Sequence, residues 1–234
     1  MSELSDSIAL LIQRGGWVMI PLLALSVVSL SLIAERIWFW VTINRPSRLA
    51  QLSGITTLLR RRDHKTAREF VAKDNSPYGV VVRRLITDGT SDSVALEAVE
   101  DQRPRIDRFM VTLSTIITAA PLIGILGTVI GIIRSFNLLG SQETLTDPRA
   151  VSGGIAEALM TTALGLVIAL FTLFPYMIFR GHVGKALSWL ELIVAAAQQG
   201  NAEYGDKGSR HAEGEALHRA APTRRSGTTA ASSI

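Results

Sequence analysis

The stretch FMVTLSTIITAAPLIGILGTVIGII, residues 109–133, contains 25 residues without a charged side chain. A helix that crosses a membrane needs about 20 apolar residues. Two further segments meet that requirement, residues 15–34 with 20 residues and residues 158–179 with 22. The sequence therefore predicts an all-α integral membrane protein with three transmembrane helices, and it argues against a soluble enzyme.

Composition removes several functional classes. The 234 residues include no cysteine, which excludes disulfides, thiolate metal sites and cysteine nucleophiles. The chain has no phosphate-binding loop, no HExxH motif and no GxSxG motif. His211 and His218 lie seven residues apart near the C-terminus, while His64 and His182 are isolated. We therefore expect no enzymatic activity, no cofactor and no metal site.

The basic residues predict how the chain crosses the membrane. Residues 44–108 carry 13 Lys and Arg, and the segment from Arg180 onward carries seven. The segment before the first span has only Arg14, and the loop 137–151 has only Arg149. The positive-inside rule places the large loop and the C-terminus in the cytoplasm and the N-terminus outside. The basic excess is thus explained by topology, and no nucleic-acid partner is expected.

Eight segments follow from these patterns. Leu4, Ile8, Leu11 and Ile12 recur at helical spacing, which favours an amphipathic helix on the outer surface; a frayed terminus is the alternative. Beyond the third span, residues 200–234 contain too few large apolar side chains to offset the entropy of ordering, which predicts a disordered tail. The predicted segments are outer helix 1–14, span 15–43, cytoplasmic helical loop 44–108, span 109–136, outer loop 137–151, span 152–179, cytoplasmic helix 180–199 and tail 200–234.

The cytoplasmic loop contains helix signals of its own. Residues 63–72 form an amphipathic pattern, and Pro77 suits the first turn of a helix over residues 78–87. A further helix is predicted to start near Val94 and to run on into the second span. Pro104 lacks an amide proton, so it should kink that helix or mark a restart.

Small and polar residues form a stripe on each of the last two spans. At 100° per residue they share one helix face, and such faces let helix backbones approach closely, as in the GxxxG of residues 127–131. The second-span stripe comprises Ser114, Pro121, Gly124, Thr128, Gly131 and Ser135, and the third-span stripe Ala158, Thr162, Gly165, Ala169, Thr172 and Tyr176. Helix packing is the role expected for Pro121, Gly124, Gly127, Gly131 and Gly165.

Four residues suggest a polar pathway in addition to packing. Thr128, Thr161 and Thr162 place hydroxyl groups on or beside the stripes, although a threonine hydroxyl can also bond its own helix backbone. Glu157 stands near the outer end of the third span among uncharged residues. A carboxylate within the membrane is costly and indicates function by default, and the alternative is a helix-end residue favoured by the helix dipole.

Two motifs resemble the MotA/TolQ/ExbB proton-channel family. The stretch APLIGILGTVIGIIRSF, residues 120–136, is similar to the family's second-span signature, and GIAEALMTTALGL, residues 154–166, to its third-span signature. Residues of the first span also match the family's pattern, namely Gly15, Gly16, Met19, Pro21, Ser26, Glu35 and Arg36. The resemblance covers residues 4–199, and three spans rather than four favour the ExbB/TolQ-like branch.

The resemblance implies a function and partners. It implies a homopentamer in the bacterial inner membrane around an ExbD- or TolR-like single-span protein that carries an intramembrane aspartate. Proton flow past that aspartate would drive a TonB- or TolA-like protein. Thr128 and Thr162 match the family's pore-facing threonines, and Glu157 its third-span glutamate. A non-conducting scaffold and the stator of another specialised motor are the alternatives.

Overall fold

A computed structural model describes residues 16–43, 46–140 and 148–220, with side chains described over 16–43, 51–137 and 151–203. The described residues contain helices and no strand. The helices are α1 (Met19–Ile43), α2 (Pro46–Arg60), α3 (His64–Val71), α4 (Pro77–Asp88), α5 (Asp92–Glu100), α6 (Arg103–Ile106), α7 (Met110–Gly140) and α8 (Pro148–Ala220).

Among the described residues, three helices are long and apolar enough to cross a membrane. The qualifying segments are Met19–Ile43, Met110–Asn137 and Val151–Glu203, with mean hydropathies of 1.8, 2.4 and 2.1. They lie in α1, α7 and α8, which we call the first, second and third spans. These helices confirm the predicted all-α membrane fold.

The chain forms two compact units. The first contains the first and second spans and the part of α8 up to Leu190. Its core lies where the spans meet, around Leu22 of α1, Ile116 and Ala120 of α7, and Ile168 of α8. All four side chains are buried, and their close van der Waals packing holds the three helices together.

The second unit runs from Leu52 to Ala98 and includes α8 from Glu191. Asp63 caps α3 by accepting a hydrogen bond from Thr66 N at 3.1 Å, and Ser76 caps α4, whose first residue is Pro77. Tyr78 is buried within this unit. The caps satisfy amides that a short helix leaves unpaired, which explains why these helices start within one residue of the predicted positions.

The approach to the second span is broken. The sequence predicts a helix from Val94 into the span with a kink or restart at Pro104; the structure ends α5 at Glu100, forms the short α6 and begins α7 at Met110. Pro104 lies in the first turn of α6, where its missing N–H leaves no helical hydrogen bond unmade. Phe109 adopts a left-handed backbone with φ 64°, which redirects the chain into α7.

The helix α8, which contains the third span, continues well beyond the apolar residues of that span. The sequence predicts a disordered tail from residue 200. The structure instead continues α8 to Ala220. Residues 200–220 contain many Ala, Glu, Lys and Arg, which are good helix formers, and extending an existing helix avoids the cost of nucleation. Residues 221–234, the predicted outer helix 1–14 and residues 141–147 of the outer loop lie outside the described residues.

Candidate functional site

Three threonine hydroxyls meet at one backbone carbonyl between the second and third spans. Thr162 Oγ1 donates to Gly124 O at 2.9 Å, and Thr128 Oγ1 and Thr161 Oγ1 each lie 3.2 Å from the same oxygen. Thr128 Oγ1 and Thr162 Oγ1 also hydrogen-bond to each other. We call Thr128, Thr161, Thr162 and the Gly124 carbonyl the hydroxyl cluster.

The hydroxyl cluster has more donors than its central acceptor can use. A carbonyl oxygen has two lone pairs, so three hydroxyls cannot all donate to Gly124 O at once. Each hydroxyl has an alternative acceptor: Ala158 O lies 2.7 Å from Thr161 Oγ1 and 3.4 Å from Thr128 Oγ1, and Thr162 can donate to Thr128. The hydroxyls can therefore exchange acceptors without leaving any polar atom unpaired.

Close helix packing brings these hydroxyls together. Thr161 is 1% exposed, and four glycines leave no room for a side chain at the α7–α8 contact. A Cβ atom on Gly124 would lie 2.9 Å from Thr161 O, on Gly127 2.8 Å from Thr161 Cβ, on Gly131 2.7 Å from Ala158 Cβ and on Gly165 2.5 Å from Ala120 O. Real Cβ atoms do not approach other atoms so closely. Pro121 lies one turn before Gly124 within α7 and is half-buried.

Glu157 lies one helical turn before Thr161 on α8. Its Oε1 is 3.8 Å from Arg134 Nη1, with the glutamate side chain 25% exposed and the arginine 64% exposed. The carboxylate rests against Gly16, where any Cβ would collide with it. Gly16, Arg134, Glu157 and Thr161 line one small pocket together with Gly127. The pocket thus joins the carboxylate to the buried edge of the hydroxyl cluster.

The structure also shows polar contacts that the sequence did not single out. Ser29 Oγ of the first span and Thr172 Oγ1 of the third hydrogen-bond at 2.6 Å in a buried position. Ser29 is one of several serines in the first span, so the sequence does not indicate which of them hydrogen-bonds to another helix. Thr172 belonged to the third-span stripe, and its partner could have been sought on the remaining span.

The profile of the MotA/TolQ/ExbB proton channel family matches residues 67–191 of the chain. That match spans both motifs and the hydroxyl cluster. The chain belongs to the MotA/TolQ/ExbB proton channel family.

Relatives within this family carry transport names. The chain is 35% identical over 175 residues to the putative biopolymer transport protein ExbB-like 3 of Synechocystis, covering 72% of this chain and 82% of the relative. It is 34% identical over 193 residues to ExbB-like 1 of the same organism, covering 80% and 74%. It is also 42% identical over 73 residues to the biopolymer transport protein ExbB of Salmonella typhimurium, covering 31% and 30%. The similarity supports the ExbB-like branch and a role in energising transport across membranes.

Proposed function

We propose that this protein is a proton-conducting stator subunit of an inner-membrane motor that uses the proton motive force to energise TonB- or Tol-type processes at the outer membrane. The hydroxyl cluster between the second and third spans carries this proposal. Its hydroxyls can solvate or relay a proton at a depth where water is scarce. Each proton driven through 100 mV would supply about 2.3 kcal/mol.

A second subunit completes the proposed pathway. Glu157 lies one turn from Thr161, but the hydrogen-bond partners of Thr128 and Thr162 among the described residues include no carboxylate. The proposed partner is an ExbD- or TolR-like single-span protein whose intramembrane aspartate faces Thr128 and Thr162. Five copies of this chain would surround the partner, with the N-terminus periplasmic and the C-terminus cytoplasmic, and the assembly would act on a TonB- or TolA-like protein.

Glu157 has a separate role in this proposal. Its carboxylate stands beside Arg134 at the pocket that also contains Thr161. The negative charge of this carboxylate would attract protons towards the outer end of the pathway. The arginine, 3.8 Å away, would orient the carboxylate.

Proton flux in reconstituted vesicles tests the proposal. The protein is inserted with its co-expressed single-span partner, and flux is followed with a pH-sensitive dye under an imposed membrane potential. Thr128→Val combined with Thr162→Val should abolish partner-dependent flux, because valine keeps the shape and removes the hydroxyls. Thr115→Val is the matched control, since the exposed Thr115 hydroxyl bonds only its own helix at Val111 O, 2.9 Å away. Wild-type flux in the double variant would refute the pathway.

The close glycine contacts favour one alternative, a membrane scaffold that does not conduct. In that case the threonines only join helices, and their hydroxyls are satisfied by backbone carbonyls. The scaffold predicts equal flux with and without the partner for every variant, together with loss of assembly in the double valine variant. The stator of another specialised motor in the same family would conduct like the leading proposal and would differ in the partner recovered with it.

A further inference from the structure

One charged side chain of the first span is completely buried. Arg36 is 1% exposed, whereas its neighbour Glu35 is 39% exposed. Arg36 Nε donates to Glu35 Oε2 at 2.7 Å. A buried guanidinium is costly unless every face and edge has a partner, so the remaining contacts of Arg36 indicate what this charge is for.

Those contacts converge on the break before the second span. Arg36 Nη1 donates to Ile106 O at 3.2 Å and lies 3.4 Å from Arg105 O, both in the last turn of α6. The guanidinium carbon also lies 4.4 Å from the centre of the Phe39 ring and 5.6 Å from that of Phe109. Arg36 therefore contacts the residues on both sides of the turn that leads into α7.

The break exposes a carbonyl that Arg36 satisfies. In an unbroken helix the Met110 amide would donate to Ile106 O; here it donates to Asp107 O at 3.0 Å. Phe109, the residue just before Met110, has a φ of 64°. This is a left-handed conformation that residues with a side chain adopt only under constraint. The Arg36 side chain supplies both a hydrogen bond to the freed carbonyl and a contact to the strained residue.

We propose that Arg36 is a positioning residue: it holds the left-handed turn at Phe109 and so sets the rotation of α7 about its own axis. Thr128 lies 18 residues beyond Met110 on that helix, about 27 Å along it. A change of rotation at the start of the helix is carried along it and moves Thr128 away from Thr162. The link to proton flux depends on the proposed function, but the rotation of α7 does not.

A cysteine pair reports that rotation independently of flux. A Cβ placed on Gly154 of α8 lies 3.5 Å from Ser135 Cβ of α7, within the range of a disulfide. The natural chain has no cysteine, so Ser135→Cys with Gly154→Cys creates the only possible bond within a subunit. Its oxidation rate is measured in native membranes for the full chain with its partner.

Arg36→Met should slow this cross-link at least about fivefold, because buried carbonyls lose their donor and the turn relaxes. Arg108→Met is the matched control. Arg108 is 59% exposed, lies 3.9 Å from the same Glu35 carboxylate and stacks on the same Phe109 ring at 4.5 Å. The cross-link rate in that variant should equal that of the parent.

Second-site variants at Phe109 distinguish a positioning role of Arg36 from a general loss of structure in Arg36→Met. Glycine adopts the left-handed conformation without strain, so Phe109→Gly in the Arg36→Met background should restore most of the cross-link rate. Phe109→Ala removes the same ring contacts without relieving the backbone and should not. If Arg36→Met does not accumulate in the membrane, the amount of inserted protein becomes the readout for the same two rescue variants. Arg36→Lys should then insert in an amount between those of the parent and Arg36→Met.

Each outcome decides the inference. An unchanged cross-link rate in Arg36→Met, or equal rescue by Phe109→Ala and Phe109→Gly, would overturn the positioning role. Loss of flux in Arg36→Met with a normal cross-link rate would also overturn it, while leaving the proton pathway intact. Slow cross-linking with glycine-specific rescue, combined with wild-type flux in the double threonine variant, would support positioning and refute the proposed function instead.

Discussion

A methyl group at Gly165 would separate the second and third spans at the hydroxyl cluster. A Cβ at this position lies 2.5 Å from Ala120 O, 3.2 Å from Ala120 C and 3.3 Å from Gly124 Cα. All three neighbours are backbone atoms, so no side chain can rotate out of the way. Ordinary contact begins near 3.4 Å, and α7 and α8 must therefore separate by about 0.9 Å, the difference between 3.4 and 2.5 Å.

That separation carries a measurable free energy. Overpacking of this kind costs about 1–3 kcal/mol. Alanine also favours a helix by about 1 kcal/mol over glycine, and Gly153→Ala is the control for that gain because nothing lies within 4 Å of its Cβ. The propensity gain is common to both variants. The free energy of unfolding of Gly165→Ala should therefore fall below that of Gly153→Ala by about 1–3 kcal/mol.

Unfolding in mixed micelles measures this difference. The full chain is titrated with a denaturing detergent while helicity and tryptophan fluorescence are recorded, and both probes should give the same transition. The same shift would stretch the bond from Thr162 Oγ1 to Gly124 O, now 2.9 Å, beyond hydrogen-bonding distance, so partner-dependent flux should fall as well. Equal unfolding free energies for the two alanine variants would refute the close packing on which the site depends.

Three further outcomes are expected. Glu157→Gln should impair partner-dependent flux more than Glu157→Asp at equal expression, because only the aspartate keeps a charge near Arg134, and full flux in the glutamine variant would reduce Glu157 to a helix-end residue. Burial raises the pKa of Tyr78 to about 12, above its usual value near 10. The free energy of unfolding of the second unit should be constant below pH 10 and fall as the pH rises through about 12. Tyr78→Phe should remove that fall. An unchanged alkaline transition in this variant would contradict the assignment of the transition to Tyr78. Deleting residues 204–234 should leave membrane insertion and oligomer size unchanged, because Gln198, Gly200 and Asn201, which make contacts within the second unit, all precede the deletion. A smaller oligomer by native mass measurement would contradict this.

The spans and the glycine contacts could be predicted from the sequence because they depend on local patterns. Uninterrupted apolar length determines a spanning helix whatever its neighbours are. Spacings of three and four place Gly124, Gly131 and Thr128 on one helix face, so a packed α7–α8 contact follows once the third span carries a similar face. Ser76 and Pro77 likewise mark a helix start through chemistry within one turn.

Other features depend on contacts between residues far apart in sequence. The break between α5 and α7 was expected only as a kink or restart at Pro104, because the sequence does not reveal that Arg36, some 70 residues earlier, supplies a donor for Ile106 O. The meeting of three hydroxyls at the Gly124 carbonyl has the same origin. A stripe identifies the face of each helix, but the axial register that brings Thr161 and Thr162 opposite Gly124 is set by packing of the whole unit.

The surplus of donors at the Gly124 carbonyl has an electrical consequence. Because each of the three hydroxyls has more than one acceptor within reach, its dipole can turn in response to a nearby charge without losing every hydrogen bond. The hydroxyl cluster is thus a small polarisable medium within an otherwise weakly responsive membrane interior. A carboxylate that approaches it in its ionised form meets dipoles that can follow its charge, and the same dipoles turn back once that carboxylate is protonated. In the proposed pathway this response would lower the barrier to moving charge in both protonation states of the carboxylate, whereas a fixed set of hydrogen bonds would do so for only one of them.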